Sequence, residues 1–283
     1  MRKAFKWLRM ILLCIPQVFF DYLTYILPYS RHPERYPLQK RYKKVRKTIV
    51  FVLKKARINA FIDESVTLPL QTKGCLLVGN HLSFLDPLLL VAMSEDPIAF
   101  VAKKEAKKLP FVGRLIRILG GTFIDRADPL DALRKFRTVA KVIQQENMAY
   151  AIFPEGTRNK FPYGMMNEFH PGALKLSTMA QLDVMPVCFF GEQRILEEKK
   201  IYRNYPVQFT TLPVVPKEKI AEMGTTEAAT YLYKMIDGPL QKMIDFDRHY
   251  MEEGKTKLRP VKWWKKPKEE PQEEGEKDEK NNG

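Results

Sequence analysis

The chain has 283 residues, 45% of them hydrophobic, which excludes a wholly disordered protein and allows one large domain or two small ones. Its formal net charge of +15 favours an anionic partner such as a membrane surface or a nucleic acid. The three cysteines, Cys14, Cys75 and Cys188, lie far apart along the chain, so we expect neither a disulfide framework nor a CxxC metal site.

Most of the positive charge lies in the first sixty residues. Residues 1–60 contain 15 Lys and Arg against two acidic residues, whereas residues 267–283 contain three Lys against seven acidic residues. We therefore divide the chain into a basic, amphipathic, membrane-binding segment (1–60), a central domain (61–254) and a charged, disordered tail (255–283).

The first part of the N-terminal segment is strongly apolar. Residues 10–30 carry no charge except Asp21, and Pro16 lies within them. An aspartate near the bilayer centre and a proline in the helix both disfavour a helix that crosses the membrane. No small-x-small cleavage site follows, so a signal peptide is not expected either. We predict a helix that lies at the membrane interface or dips into one leaflet.

The second part, residues 35–59, has the pattern of an amphipathic helix. Its apolar residues recur every three or four positions and are flanked by Lys and Arg: Leu38, Tyr42, Val45, Ile49, Val52 and Ala56. This pattern fits a helix that meets an anionic membrane, and it also fits one that packs on the protein body with a solvated basic face. Beside the apolar first helix we favour the membrane, with a turn at residues 29–33 that folds the two helices into a hairpin.

From residue 75 onward, predicted strands alternate with predicted helices. Short apolar runs at 75–79, 98–102, 150–153 and 184–189 predict buried strands. Residues 130–145 predict a helix capped by Asp128, and residues 225–253 predict a long last helix that is broken or kinked near Pro239. The alternation predicts an α/β fold with a mostly parallel sheet flanked by helices, whose site lies at the carboxyl ends of the strands.

The first polar block follows the strand at 75–79 and reads NHLSFLDP over residues 80–87. It places His81 five residues before Asp86, within reach on a turn that opens into a helix. A carboxylate can fix the tautomer of an imidazole and stabilise its protonated form, so that the other ring nitrogen can take a proton from an alcohol. The alternative is that Asp86 caps a helix and His81 is an ordinary turn residue.

Two further polar blocks and one apolar block follow. Residues 120–126 (GGTFIDR) combine close-packing glycines with Arg126, and residues 154–158 (PEGTR) present an acid, a glycine, a hydroxyl and a guanidinium. Such groups suit a phosphate monoester, although each block alone also fits a structural ion pair. Residues 184–187 (VMPV) fit a buried strand that contains a proline.

In combination and in this order, the four blocks resemble those of the glycerolipid acyltransferase family, and especially its bacterial members that acylate 1-acyl-sn-glycerol 3-phosphate. The first block matches NHxSxxDP, and the second ends in a GxxFIDR-like run. The third matches FPEGTRS with Asn159 in place of the serine, and the fourth matches V-P-V with Met185 inserted. Ala102-Lys103 matches a further family element, and the similarity covers about residues 60–215.

The resemblance implies an acyltransferase that moves a fatty acyl chain from a thioester donor to the 2-hydroxyl of lysophosphatidic acid, which gives phosphatidic acid. It implies that His81 is the general base, that Asp86 orients it, and that transfer is direct, without an acyl-enzyme. It assigns acceptor binding to Lys103, Arg126, Glu155, Gly156, Thr157 and Arg158, with Arg158 as the main phosphate ligand. It also associates the strand near Pro186 with the acyl donor. No metal or other cofactor is expected, because acyl-CoA or acyl carrier protein serves as co-substrate.

Two other functions stay open. One keeps the chemistry but changes the acceptor to another lysolipid or an acylated amino acid. The other is a non-catalytic protein that binds a membrane or nucleic acid through residues 1–60, which leaves the three polar blocks unexplained. For the favoured function we expect a monotopic or peripheral protein at the cytoplasmic face of the cell membrane, bound to anionic lipids and not to nucleic acid.

Overall fold

The computed structural model describes residues 2–63, 65–159, 165–196, 202 and 204–253. These residues form a seven-stranded sheet in the order β1-β7-β6-β2-β5-β3-β4. The strands are β1 (Ile58–Ile62), β2 (Cys75–Gly79), β3 (Ile98–Lys103), β4 (Thr122–Ile124), β5 (Ala149–Ile152), β6 (Asp183–Phe190) and β7 (Tyr205–Thr211). All neighbours pair parallel except β6 and β7, which confirms the predicted mostly parallel sheet.

Helices cover both faces of the sheet. The α-helices are α1 (Arg2–Asp21), α2 (Leu27–Arg31), α3 (Leu38–Lys55), α4 (Asp86–Met93), α5 (Val112–Ile118), α6 (Pro129–Glu146), α7 (Lys175–Ala180), α8 (Gln193–Leu196) and α9 (Lys217–Glu253). Side chains of one strand alternate between the two faces, so Leu77 joins a core with α3 and α4, whereas Leu76 and Val78 join a second core with α6, α7 and α9. The sheet is therefore the middle of three layers.

The four predicted strands are confirmed to within two residues at each end. Three strands, β1, β4 and β7, were not predicted. β4 has only three residues, which is too few for a periodic pattern, and it pairs with the end of β3 between Val101 and Lys103.

The two long helices α6 and α9, which pack in the second core, agree with the predicted helices except in one respect. The Asp128 carboxylate accepts hydrogen bonds from the backbone N–H groups of Leu130 and Asp131, both at 3.0 Å, and so caps α6 as predicted. α9 continues through Pro239, and its non-helical backbone lies at Gly224, with φ at 66°. The predicted break near Pro239 is therefore misplaced, since the helix is interrupted at Gly224, whose positive φ favours glycine.

The apolar face of α3 is buried against the protein body. Tyr42, Val45 and Ile49 lie in the core shared with α4, and the Tyr42 hydroxyl donates to the carbonyl oxygen of Val91 at 3.2 Å. The expectation that this face meets lipid is therefore wrong, because the same periodicity serves a core-facing helix. Most of the lysines of α3 remain exposed to solvent.

Unlike α3, the first helix, α1, exposes apolar side chains to solvent. Its second half presents large apolar side chains to solvent: Leu12, Leu13, Ile15, Phe19 and Phe20. Its last residue contacts α3 through a polar group, because the Thr48 hydroxyl donates to the Asp21 carboxylate. One stretch of the described residues, Leu12–Arg31, is long and apolar enough to cross a membrane, judged by length and composition alone.

The predicted boundary between residues 60 and 61 falls inside β1, which pairs with β7. The N-terminal helices and the α/β part thus share one hydrophobic core. The tail predicted for residues 255–283 lies outside the described residues.

Candidate functional site

The polar blocks meet at one edge of the sheet. β2, β5, β3 and β4 are neighbours in this order, and all four run parallel. The block with His81 follows β2, the block with Glu155 follows β5, Lys103 ends β3, and Arg126 follows β4. Because parallel strands end at the same edge, residues as far apart in sequence as His81 and Glu155, 74 positions, come together there.

His81 and Asp86 form a hydrogen-bonded pair. The distance from His81 Nδ1 to Asp86 Oδ2 is 2.7 Å, and the Asp86 side chain is fully buried. The same carboxylate oxygen accepts the backbone N–H groups of Leu82 and Ser83, at 2.8 and 2.9 Å. With an ionised Asp86, the Nδ1 atom carries the proton, which leaves Nε2 with a lone pair that can accept one from a substrate.

The His81 ring is held on a second side by an aromatic contact. It stacks on the Phe153 ring with 4.4 Å between the centroids and 19° between the planes. The His81 side chain is 17% exposed, so a substrate can reach it only from a limited direction. The ring is thereby oriented before any substrate binds.

Asn80 anchors the turn that carries His81. Its side-chain amide donates to the carbonyl oxygen of Phe189 and its side-chain oxygen accepts from the Phe189 N–H, both at 2.9 Å. The buried side chain therefore extends the pairing of β2 with β6 by one residue. We read this asparagine as structural, and it explains why an amide precedes the histidine.

Glu155 joins the first block to the third. Its Oε1 atom accepts from the His81 N–H at 2.7 Å, and its Oε2 atom accepts from the Asn167 N–H at 2.8 Å. Burial raises the pKa of this carboxyl above its usual value, while the two N–H donors act in the opposite direction. Both oxygens are thus already bonded to protein backbone, so Glu155 supports the turn of His81 more directly than it could bind a substrate.

An open pocket of about 520 Å³ is lined in part by Glu155, the residue that bonds to the His81 backbone, while His81 and Asp86 are not among its lining residues. Its lining includes five of the six residues predicted to bind the acceptor: Lys103, Arg126, Glu155, Gly156 and Thr157. It also includes residues that the sequence analysis did not select: Lys104, Glu105, Asp125, Ala127 and His170. The pocket is therefore rich in charged groups of both signs.

The sixth predicted residue, Arg158, lies elsewhere. It is not among the described residues that line the pocket, and its guanidinium carbon lies 3.6 Å from the centroid of the Phe84 ring. Phe84 belongs to the loop between His81 and Asp86, so the arginine lies against the block of the histidine. Planar guanidinium groups stack readily on aromatic faces, which explains the placement.

Glycines of the second and third blocks allow close contacts. A Cβ atom on Gly121 would lie 2.7 Å from the Phe100 carbonyl oxygen, so no larger residue fits there. Gly156 has φ at 72°, in the left-handed region that favours glycine. A Cβ atom at this position would lie 3.0 Å from an Arg126 nitrogen and 3.0 Å from the His170 ring.

The fourth block lies inside the sheet. Pro186 is buried, pairs with Val78 of β2, and accepts a hydrogen bond from the Leu212 N–H at 2.9 Å. Its position is several residues before the carboxyl end of β6, in the core of the fold. The association of this strand with the acyl donor stays a prediction.

His170 is the pocket residue that sequence reasoning missed most clearly. It lies 12 residues after Arg158, beyond the third block, and no spacing connects it to the earlier blocks. The one feature of the sequence that could have marked His170 as a candidate site residue is that the chain has only four histidines.

Comparisons of the sequence with protein families and with known proteins all find acyltransferases. A family model described as Acyltransferase matches residues 41–190. A protein of Mycoplasma genitalium named "Probable 1-acyl-sn-glycerol-3-phosphate acyltransferase" is 29% identical over 225 residues, which are 78% of this chain and 75% of the relative. A human protein named "1-acyl-sn-glycerol-3-phosphate acyltransferase beta" is 31% identical over 148 residues, 52% of each chain.

A solved structure has a similar fold. The crystal structure of the 1-acyl-sn-glycerophosphate (LPA) acyltransferase PlsC from Thermotoga maritima superimposes with a TM-score of 0.65 and 21% sequence identity. The match covers 86% of this chain and 98% of that one. The match supports the α/β fold described above.

Proposed function

Since this chain belongs to the Acyltransferase family, we propose that it transfers a fatty acyl chain from a thioester donor to the 2-hydroxyl of 1-acyl-sn-glycerol 3-phosphate, which gives phosphatidic acid. The observation that carries the proposal is the 2.7 Å pair of His81 and Asp86, joined through Glu155 to a pocket that contains cationic side chains. The pair suits the activation of an alcohol, and the pocket suits a phosphate monoester.

The geometry of the pair supports a direct transfer with His81 as the base. His81 Nε2 accepts the proton of the acceptor 2-hydroxyl while the oxygen attacks the thioester carbonyl carbon. Asp86, bonded to Nδ1, stabilises the imidazolium that forms. The tetrahedral intermediate then expels the thiolate, which takes the proton from His81. A positioned general base of this kind accelerates a reaction by about 10²–10⁴-fold.

The acceptor is held by its phosphate. The Arg126 guanidinium and the Lys103 ammonium line the pocket and can bind phosphate oxygens, while Gly156 and Thr157 form its wall. Arg158 supports the loop that carries His81 through its contact with Phe84. The acyl donor is acyl-CoA or acyl carrier protein, and no further cofactor takes part.

The N-terminal segment attaches the enzyme to its substrate-containing membrane. The exposed apolar side chains of α1, such as Phe19 and Phe20, enter one leaflet of an anionic membrane from the cytoplasmic side. The exposed lysines of α3 face the headgroups. In this arrangement residues 1–60 bind the membrane without crossing it, residues 61–254 catalyse the transfer, and no nucleic acid is involved.

The test is acyl transfer by the purified protein and its His81→Ala variant. The acceptor is lysophosphatidic acid, and the donors are acyl-CoA and acyl carrier protein in parallel. We expect phosphatidic acid from the wild type and a loss of kcat of at least about 10²-fold in the variant. The matched control is His249→Ala, which removes an exposed histidine of α9.

Two results would contradict the proposal. Full activity of His81→Ala would exclude the histidine as base. Product from another lysolipid but none from lysophosphatidic acid, with folded and membrane-bound protein, would keep the chemistry and replace the acceptor.

A further inference from the structure

Two nitrogen-containing side chains converge over Gly156. An Arg126 guanidinium nitrogen and the His170 Nε2 atom lie 3.0 and 3.3 Å from the point where a Cβ of residue 156 would be. They come from different parts of the chain, Arg126 from the loop after β4 and His170 from the segment that leads to α7. Among the described residues, neither side chain has a hydrogen-bond or ion-pair partner, so both have donors available for a ligand.

The backbone of His170 is fixed although its side chain is exposed. Its N–H donates to the Pro154 carbonyl oxygen at 3.0 Å, and its carbonyl oxygen accepts from the Ala173 N–H at 3.0 Å. The first of these bonds ties His170 to the third block, next to Glu155 and Gly156. The imidazole is therefore held at the pocket wall by the fold.

The charges around the imidazole balance one another. The charged residues that line the pocket with it are Lys103, Lys104, Glu105, Asp125, Arg126 and Glu155. Lys104 pairs with Asp125, and Lys103 Nζ lies 3.6 Å from a Glu105 carboxylate oxygen. With Glu155 ionised, the three cationic and three acidic groups sum to zero net charge. If His170 is neutral, the pocket therefore has no excess positive charge to offset a dianionic phosphate. A protonated His170 supplies the missing charge.

We propose that His170, as an imidazolium, is a second phosphate ligand next to Arg126, and that its protonation makes the affinity for the phosphorylated acceptor depend on pH. The inference deepens the proposed function, since it concerns the phosphate of the same acceptor. An imidazole can gain and lose a proton near neutral pH, unlike the lysine and arginine side chains of this pocket.

The kinetic test compares three proteins at pH 6 and pH 8. His170→Gln is neutral at both values, and His170→Lys is charged at both. The ratio of variant to wild-type KM removes the titration of the lipid phosphate itself. We expect His170→Gln to raise the acceptor KM about three- to tenfold at pH 6 and less than about twofold at pH 8, with kcat nearly unchanged. His170→Lys should keep the low KM at both values.

A binding measurement separates this inference from the proposed function. With ¹³C-labelled histidine, the His170→Gln variant identifies the imidazole signal of His170 among four. Glycerol 3-phosphate, added without any acyl donor, should shift that signal more at pH 6 than at pH 8, and sodium chloride at equal ionic strength should not. Shifts without acyl transfer would support the ligand role and refute only the proposed reaction. Absence of a shift, or a KM of His170→Gln equal to wild type at pH 6, would overturn the inference.

Discussion

The two halves of the candidate site are built from different contacts. On one side, Asp86 is fully buried, and one of its oxygens accepts three hydrogen bonds, from His81 and two backbone N–H groups. On the other side, the Lys103 side chain is 55% exposed and lies near a single carboxylate at 3.6 Å. The first half is fixed before the substrate arrives, whereas the second is an open group of charges that can adapt to a headgroup. Damage to the first half should therefore lower kcat, and damage to the second should raise KM.

The largest effect is expected from Asp86→Asn. The amide oxygen, at the position of Oδ2, can still accept the hydrogen bonds from His81, Leu82 and Ser83, but the amide carries no negative charge. The imidazolium that forms during proton transfer then lacks a charged partner, so kcat should fall about 10²–10⁴-fold with little change in KM. Steady-state kinetics with lysophosphatidic acid measure both constants.

The control for this variant is Asp86→Ala, which leaves the two buried N–H groups without an acceptor. Its free energy of unfolding should be about 1–3 kcal/mol lower than that of Asp86→Asn. If Asp86→Asn kept more than a tenth of the wild-type kcat, the fixed half of the site would not depend on the carboxylate.

The next effect is expected from Arg126→Ala. It removes a guanidinium that has no ion-pair partner among the described residues and is therefore available for a phosphate. The acceptor KM should rise about 10-fold or more, and kcat should change little. Lys103→Ala is the matched comparison, and because Lys103 is exposed near Glu105 its effect should be no more than about fivefold. A fall in kcat of more than about tenfold in either variant would contradict the division of the site into two halves.

A smaller effect on stability is expected from Glu155→Gln. The amide has one acceptor oxygen, but the wild-type side chain accepts two N–H groups, from His81 and Asn167. One of these donors loses its acceptor, which should lower the free energy of unfolding by about 1–3 kcal/mol at neutral pH. Urea unfolding followed by circular dichroism measures this difference.

The same carboxyl predicts a pH dependence. Its pKa is raised in the folded protein, so as pH rises the unfolded chain ionises first, near the ordinary value of 4.5. The contribution of Glu155 to stability is thus full below that pH and declines as pH rises toward the raised pKa. Glu155→Gln lacks this decline, so its unfolding free energy relative to wild type should improve as pH increases above about 4.5. If Glu155→Gln instead became less stable relative to wild type as pH rises, burial would not be the main influence on the pKa of Glu155.

Much of the fixed half could be predicted from the sequence, because it is local. His81 and Asp86 are five residues apart on one strand–turn–helix connection, so their distance depends on a short segment. The meeting of Lys103, Arg126 and Glu155 could also be predicted, since parallel strands end at one edge. His170 could not, because its place depends on a backbone bond to Pro154 that no sequence spacing reveals.

The fold shows a second limit. The periodic apolar residues of α3 and the apolar residues of α1 both fitted a membrane, but only the α1 side chains are exposed. Periodicity identifies a buried face and does not identify what buries it. Here α4 and the sheet bury the apolar face of α3. This contact depends on residues that are far apart in sequence, such as Tyr42 and Val91.

The smallest effect concerns Arg158, which the sequence assigned to the phosphate half and the structure sets against Phe84. Phe84→Leu keeps an apolar side chain but removes the aromatic face, and Arg158→Lys keeps the charge but removes the planar group. A stacking contact of this kind contributes about 0.5–1 kcal/mol, so either variant should lower kcat about two- to fivefold. The double variant should be no worse than the stronger single one, because both remove the same contact. If instead Arg158→Lys raised the acceptor KM as much as Arg126→Ala while Phe84→Leu did nothing, Arg158 would belong to the adaptable half. The arginine would then have to leave Phe84 when the acceptor binds.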